Sequence, residues 1–195
     1  YASGMDFWEE VWWNAKFVQV GNEPDADPSS NSSALMSPED YWRVQYYVAL
    51  LVRGLAVQWL GGLSSGQPPW VGDTPRPSKK AVPCIHLYGQ QPAMDFPWPG
   101  YGHGQVWNPV DGYQRQFRTK KLVVSEFGDP VQDFRGNEGT RAEMMTRLLD
   151  AFHSLGVAVA CPYTWRDRSL GEFGTGYGLV TEGGTHKLTY DAFHE

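Results

Sequence analysis

The chain has 195 residues, enough for one domain with a substantial core, and its hydrophobic fraction of 41% excludes a disordered protein. A net charge of −6, with no basic stretch, argues against nucleic-acid binding. The sequence also lacks an apolar run of about 18 residues or more, which argues against a membrane span.

Short apolar runs and helical patterns alternate along the chain. The strands are predicted at 17–20, 57–60, 82–88, 121–126 and 157–165, and the helices at 38–55, 112–118 and 140–155. Ser37 and Pro38 are typical of a helix N-cap and first helical position, and Gly156 is typical of a helix end. Gly61-Gly62 is predicted to end the second strand.

Four of the five predicted strands are continuous apolar runs rather than alternating ones. Such runs favour a parallel sheet buried on both faces, and the strand–helix alternation indicates an α/β fold. Parallel α/β folds bind their ligands at the carboxyl ends of the strands. Residues at the strand ends are therefore the first candidates for function.

The strand ends carry chemically active side chains. They are Asn22 and Glu23 after the first strand, His86 and Tyr88 in the third, Glu126 in the fourth, and Tyr163 and Trp165 in the fifth. Because side chains alternate along a strand, residues 84, 86 and 88 share one face, and so do residues 161, 163 and 165.

The most specific prediction concerns the two glutamates, Glu23 and Glu126. Two carboxylates at the ends of non-adjacent parallel strands can converge on one point, as glycoside hydrolysis requires. If Glu126 points into the interior, Leu122 and Val124 are expected to fill the space beneath it. Pro24 is expected to keep Glu23 extended. For either glutamate alone, a solvated loop charge is the alternative.

Aromatic residues are unusually common, with nine Trp and ten Tyr. They either form a Trp-rich core or line a sugar-binding cleft, because the C–H face of a sugar ring stacks on indole. Trp70, Trp98 and Trp107 lie in Pro- and Gly-rich loops, where core packing is the weaker explanation. These three are therefore candidates for lining a substrate cleft.

The two cysteines, Cys84 and Cys161, have the spacing neither of a disulfide framework nor of a metal site. We expect two buried free thiols, with a bridge between them as the alternative. A metal site formed by His86 and His103 has no support from their spacing, and no metal is predicted.

In chain order, the motifs VGNEP, IHLYG, VVSEFG and PYTWRD resemble those of the retaining (β/α)8-barrel glycoside hydrolases with catalytic Glu on strands four and seven. Cellulases, mannanases and β-glycosidases belong to this clan. The resemblance covers roughly residues 15 to 168. It implies a TIM-type barrel, of which this chain carries strands four to eight.

The resemblance also implies roles for individual residues. Glu23 would be the acid/base and Glu126 the nucleophile. Asn22 would contact the sugar 2-hydroxyl, and Trp165 would stack under the sugar. The remaining matched residues, His86 and Tyr88, would contact the substrate or orient the nucleophile.

The resemblance leaves out the first three strands of a barrel, which is typically about 250 residues long. We therefore expect residues 1–195 to form a single partial barrel domain, either a piece of a larger protein or an unusually short barrel. The chain begins at Tyr1, which predicts a processed or excised piece. The missing amino-terminal part of the barrel is then the expected protein partner.

Taken together, the sequence predicts a retaining hydrolase of β-glycosidic bonds in a poly- or oligosaccharide, which needs no cofactor. The alternatives are a non-catalytic carbohydrate-binding or structural remnant of such a barrel, and an inverting enzyme on an unrelated fold. The distance between the two carboxyl groups distinguishes retention from inversion. Acidic charge and few cysteines favour an extracellular or virion-associated protein.

Overall fold

A computed structural model describes residues 16–25, 36–51, 57–63, 81–88, 109–169 and 175–193. The strands are β1 (Phe17–Asn22), β2 (Val57–Leu63), β3 (Val82–Leu87), β4 (Leu122–Phe127) and β5 (Val157–Pro162). The helices are α1 (Pro38–Leu51), α2 (Pro109–Gln116), α3 (Glu138–Ser154) and α4 (Leu188–Ala192), with a 3-10 turn at Val131–Phe134. Trp70, Trp98, His103 and Trp107 lie outside the described residues.

All five strands form one parallel sheet in the order β1-β2-β3-β4-β5. This confirms the prediction of an α/β fold with a parallel sheet. Because the strands are parallel, their carboxyl ends lie along one edge of the sheet, where the candidate residues were expected. In the described ranges, no helix has the length and apolar character needed to cross a membrane.

The main core lies between the sheet and the helices, on what we call the helix face of the sheet. It includes Leu60, Ile85 and Val124 from the strands and Met145 and Phe152 from α3. Alternation directs the side chains in between to the opposite face, which we call the site face. The residues of the helix face pack the sheet against the helices, and the candidate residue His86 lies on the site face.

A β-bulge interrupts the pairing of β3 with β4. Ile85 pairs with Val124 and His86 pairs with Glu126, so that Ser125 has no partner in this register. An extra residue of this kind changes the direction of the side chains that follow it. Glu126 consequently reaches the site face next to His86.

The bulge overturns one expectation. Leu122 and Val124 are fully buried in the core on the helix face, together with Phe127. They do not lie beneath Glu126 as strict alternation predicted. Ser125 instead shares the site face, where its hydroxyl oxygen lies 2.8 Å from the Cys84 sulfur.

Strand β2 continues through Gly61 and Gly62, so the prediction that these glycines end it is wrong. A Cβ atom on Gly61 would lie 2.2 Å from the Val20 carbonyl oxygen, and one on Gly62 would lie 2.0 Å from His86 Nε2. Both positions are glycine because neighbouring groups approach closely, and not because the chain turns there.

The predicted helix start at Ser37 and Pro38 is confirmed, since the Asp40 N–H donates to Ser37 Oγ at 3.1 Å. Both cysteines are free, as expected, although only Cys84 is fully buried. Burial raises the pKa of the Cys84 thiol to about 12, so the thiol stays protonated at neutral pH.

Candidate active site

Glu23 follows β1 directly and is held by its backbone. Its N–H donates to the Gly62 carbonyl at 2.8 Å, and its φ is 46°. The expectation that Pro24 keeps Glu23 extended is therefore wrong, because the residue lies in the left-handed region. This turn away from the strand direction brings the Glu23 side chain over β3.

His86 lies between the two carboxylates. Its side chain is fully buried, with Nδ1 at 2.8 Å from Glu23 Oε1 and at 3.5 Å from Glu126 Oε2. Its other nitrogen, Nε2, is buried and has no hydrogen-bond partner among the described residues. This arrangement fits the tautomer that carries the proton on Nδ1, because that proton then has a carboxylate to bind.

Tyr88 donates a short hydrogen bond from its hydroxyl to Glu126 Oε2. Burial raises the pKa of Tyr88, and the hydrogen bond to Glu126 and the charge of that carboxylate raise it further. The phenol therefore remains a proton donor throughout the range in which an enzyme would work. It fixes one oxygen of Glu126 and leaves the other available.

The two glutamates form a compact pair that remains open to solvent. One oxygen of each lies, together with a His86 nitrogen, in a group whose atoms are all within 4.8 Å of one another. The Glu23 and Glu126 side chains are 21% and 28% exposed. They are therefore accessible to a ligand, while the buried His86 and the half-buried Tyr88 set their orientation.

Three tyrosines pack edge to face beside this pair. The Tyr88 ring lies 5.8 Å from the Tyr163 ring and 6.1 Å from the Tyr177 ring, and the last two are 5.6 Å apart. Burial raises the pKa of Tyr163, the charge of Arg168 lowers it, and the charges of Glu126 and Glu23 raise it further.

The sequence places Tyr163 at a strand end but does not indicate a role for it, and it gives no signal for Tyr177. Tyr177 lies between Gly176 and Gly178 in a turn with no motif of its own. Only the two flanking glycines mark the position, and glycines of this kind also occur in loops without function.

The structure places the remaining candidates as follows. Trp165 is 57% exposed and packs its ring at 5.6 Å from Tyr190. Asn22 is exposed and pairs in register with Gly62 next to Glu23. Of the predicted residues, the structure thus gathers Glu23, His86, Tyr88 and Glu126 into one site.

The same trio of Glu23, His86 and Glu126 has the donor types of a metal site. A metal on Nδ1 of His86, however, would displace the proton to Nε2. That atom is buried without an acceptor in the described part of the chain. Leaving such a donor unpaired costs about 1–3 kcal/mol, so the geometry favours a hydrogen-bonded acid–base group over a metal centre.

No protein-family model and no curated protein sequence matches the chain. Solved structures do match it. One is a GH128 (subgroup VII) oligosaccharide-binding protein from Trichoderma gamsii, with a TM-score of 0.63 and 14% identity. A second is a GH128 (subgroup VI) exo-β-1,3-glucanase from Aureobasidium namibiae, with a TM-score of 0.62 and 13% identity. A third is the GH39 enzyme from Xanthomonas axonopodis pv. citri, with a TM-score of 0.59 and 14% identity.

These matches cover 98%, 97% and 98% of this chain. They cover only 72% and 71% of the two GH128 proteins and 42% of the GH39 enzyme. At such low identity the likeness establishes a shared α/β fold. The similar structures come from glycoside hydrolase families, which agrees with the resemblance found in the motifs.

Proposed function

We propose that the chain is part of a retaining glycoside hydrolase that cleaves β-glycosidic bonds of a poly- or oligosaccharide. The observation that carries this proposal is the pair of carboxylates, Glu23 and Glu126, joined through one buried histidine and held by a tyrosine. Two of the similar structures, the exo-β-1,3-glucanase and the GH39 enzyme, support the same class of reaction.

Glu126 is the nucleophile in this proposal. Tyr88 binds its Oε2, so Oε1 attacks the anomeric carbon as the bond to the leaving oxygen breaks. Glu23, in its protonated form, gives its proton to that oxygen. Glu23 then takes a proton from water, whose oxygen displaces Glu126 from the glycosyl–enzyme intermediate and restores both carboxyl groups.

The spacing of the two carboxyl groups favours retention. Retaining enzymes hold them about 5–5.5 Å apart, whereas inverting enzymes leave about 6.5–9.5 Å for a water molecule. An oxygen of Glu23 and an oxygen of Glu126 lie within 4.8 Å of each other here. This limit is the approach of single oxygens rather than the distance between the whole carboxyl groups, and it supports retention over inversion.

We further propose that the described sheet is the fourth-to-eighth-strand part of a (β/α)8 barrel. Strands β1 and β5 are the two edges of the sheet, and closing a barrel requires strands between those edges. The remaining strands would come from polypeptide outside this chain. That polypeptide is then the proposed protein partner, and it would contribute further sugar contacts.

The first substrate to test is β-1,3-glucan, because the similar structure from Aureobasidium namibiae is an exo-β-1,3-glucanase. Release of reducing sugar from β-1,3- and β-1,4-glucans would be measured for the wild type and for Glu126→Gln and Glu23→Gln. Each substitution is expected to lower kcat by at least about 1,000-fold. Glu143→Gln is the matched control, because Glu143 is an exposed residue whose ion pair with Arg147 lies within the same helix.

A 2-fluoro glycoside with a good leaving group tests the nucleophile directly. It is expected to add one sugar mass to a peptide containing Glu126, and Glu126→Gln is expected to abolish that label. Labelling of Glu23 instead would reverse the two roles. Full activity of Glu126→Gln would refute the proposed glycosidase mechanism.

The second candidate is a non-catalytic oligosaccharide-binding protein, favoured by the similarity to the Trichoderma gamsii protein described in those terms. Calorimetry with the same oligosaccharides distinguishes the two. Binding by the wild type without any turnover, even at high enzyme concentration, would favour this second function.

A further inference from the structure

Arg141, on helix α3, is completely buried although its guanidinium carries a positive charge. A buried charge is costly unless every donor is paired, and here the pairing is extensive. The charge is balanced by Glu138, whose Oε1 lies 3.0 Å from Nη1. Nη1 also donates to Thr189 Oγ1 on α4 at 3.1 Å.

The remaining hydrogen bonds of Arg141 go to backbone carbonyls on two segments. Nε donates to the carbonyl of Asp129 at 2.9 Å, just after β4. Nη1 donates to Gly178 at 3.1 Å, and Nη2 donates to Tyr177 through a short bond. One side chain therefore fastens the segment that follows Glu126 to the turn that carries Tyr177.

Both segments lead to the same hydrogen bond. Asp129 is three residues beyond Glu126 in the sequence. Tyr177 packs its ring against Tyr88, which donates to Glu126. A shift of either segment would therefore change the geometry of the hydrogen bond from the Tyr88 hydroxyl to the Glu126 carboxylate.

We propose that Arg141 is a positioning residue for the candidate nucleophile: by holding the Asp129 and Tyr177 segments together, it fixes the hydrogen bond from Tyr88 to Glu126. This inference rests on the proposed glycosidase function. Lysine cannot replace Arg141, because one ammonium group lacks the planar set of donors that reaches three carbonyls at once.

The kinetic test compares Arg141→Lys with Leu148→Ala, which opens the core further along the same helix. Both variants lose stability, and both are assayed at a temperature where each is folded. Arg141→Lys is expected to lower kcat about 10- to 100-fold with little change in KM, because reacting groups are displaced. Leu148→Ala is expected to keep the wild-type kcat. Equal kcat values for the two variants would show that Arg141 has only a structural role.

A double substitution tests the route through Tyr177. Tyr177→Ala alone is expected to lower kcat in the same way, and Arg141→Lys/Tyr177→Ala is expected to be no worse than the more severe single variant. Fully multiplicative losses would show that Arg141 does not act through Tyr177 and would overturn the proposed route.

An NMR measurement needs no activity, so it separates this inference from the proposed function. The edge-to-face contact with Tyr177 gives the Tyr88 ring protons a ring-current shift. Arg141→Lys is expected to reduce this shift, and Leu148→Ala is expected to preserve it. An unchanged Tyr88 shift in folded Arg141→Lys would overturn the inference even if the protein proves to be a glycosidase. If the Tyr88 shift changes but the protein hydrolyses no glycan, the positioning role of Arg141 would stand. Only the proposed glycosidase function would then be refuted.

Discussion

Glu23 combines a candidate catalytic carboxylate with an unfavourable backbone. A φ of 46° in a residue other than glycine costs about 1–3 kcal/mol and persists only where surrounding contacts impose it. Those contacts include the hydrogen bond of its backbone N–H to Gly62 and the hydrogen bond between its side chain and His86. The fold therefore holds this carboxylate in place against the preference of its own backbone.

This backbone strain predicts that a glycine at position 23 would make the folded protein more stable. Glu23→Gly is expected to raise the free energy of unfolding by about 1 kcal/mol relative to Glu23→Gln, which removes the charge but keeps the side chain and its φ. Urea unfolding of both variants measures the difference. A Glu23→Gly protein less stable than Glu23→Gln would show that the conformation carries no such cost.

Gly62 is the second residue whose identity follows from the site. Any Cβ atom there would meet the buried His86 ring. Gly62→Ala is expected to displace this ring, lower stability by about 1–3 kcal/mol and weaken catalysis. Gly183→Ala is the matched control, because its new Cβ would meet Thr181 Oγ1 at an ordinary 3.9 Å. Thermal melts and kcat measure both effects, and a harmless Gly62→Ala would contradict the close packing.

At the scale of the secondary-structure elements, apolar runs and cap residues predicted all five strands and the main helices to within a few residues. The two failures have physical causes. The bulge at Ser125 depends on how β3 and β4 pair, which is a non-local property. The glycines of β2 looked like a strand end because sequence alone cannot separate a turn from a close approach.

Asn137 is the N-cap of helix α3. The Asn137 side chain accepts a hydrogen bond from the Thr140 N–H at 3.1 Å. Asn137→Ala is expected to lower the free energy of unfolding by about 1 kcal/mol. Catalysis should be unaffected at temperatures where the variant is folded. Chemical denaturation is the measurement, with Asn137→Ser, which can also cap, expected to stay near the wild type.

At the scale of the whole molecule, the candidate site was predictable where its residues stand in motifs. Glu23, His86, Tyr88 and Glu126 each lie at the end of a strand, and parallel strands end along one edge. Tyr177 could not be predicted in the same way. It reaches the site through a turn whose position depends on long-range contacts.

The buried titratable groups make the fold sensitive to alkali. Burial is the largest cause of the raised pKa values of Cys84, Tyr41, Tyr88 and Tyr113. Each of these groups loses its proton more readily in the unfolded chain. The stability that these groups contribute is complete below about pH 8. It falls as the pH rises through the unfolded pKa values of Cys, about 8.5, and Tyr, about 10.

Urea unfolding at a series of pH values between 8 and 11 checks this prediction. Cys84→Ser keeps a hydroxyl near Ser125 but no longer titrates. The substitution should make the free energy of unfolding fall less steeply with pH. The slope should decrease by the contribution of up to one proton, which is about 1.4 kcal/mol per pH unit. A stability independent of pH across this range would mean that these groups titrate alike in the folded and unfolded chains.

The partners in the candidate site are far apart along the chain. Glu23 and His86 are separated by 63 residues, and Tyr88 and Glu126 by 38. Each hydrogen bond can form only after the intervening loops have closed, whereas helices form locally within about a microsecond. On refolding from denaturant, ligand binding should therefore return later than the helical circular dichroism signal, which makes the site a reporter of the last stage of folding.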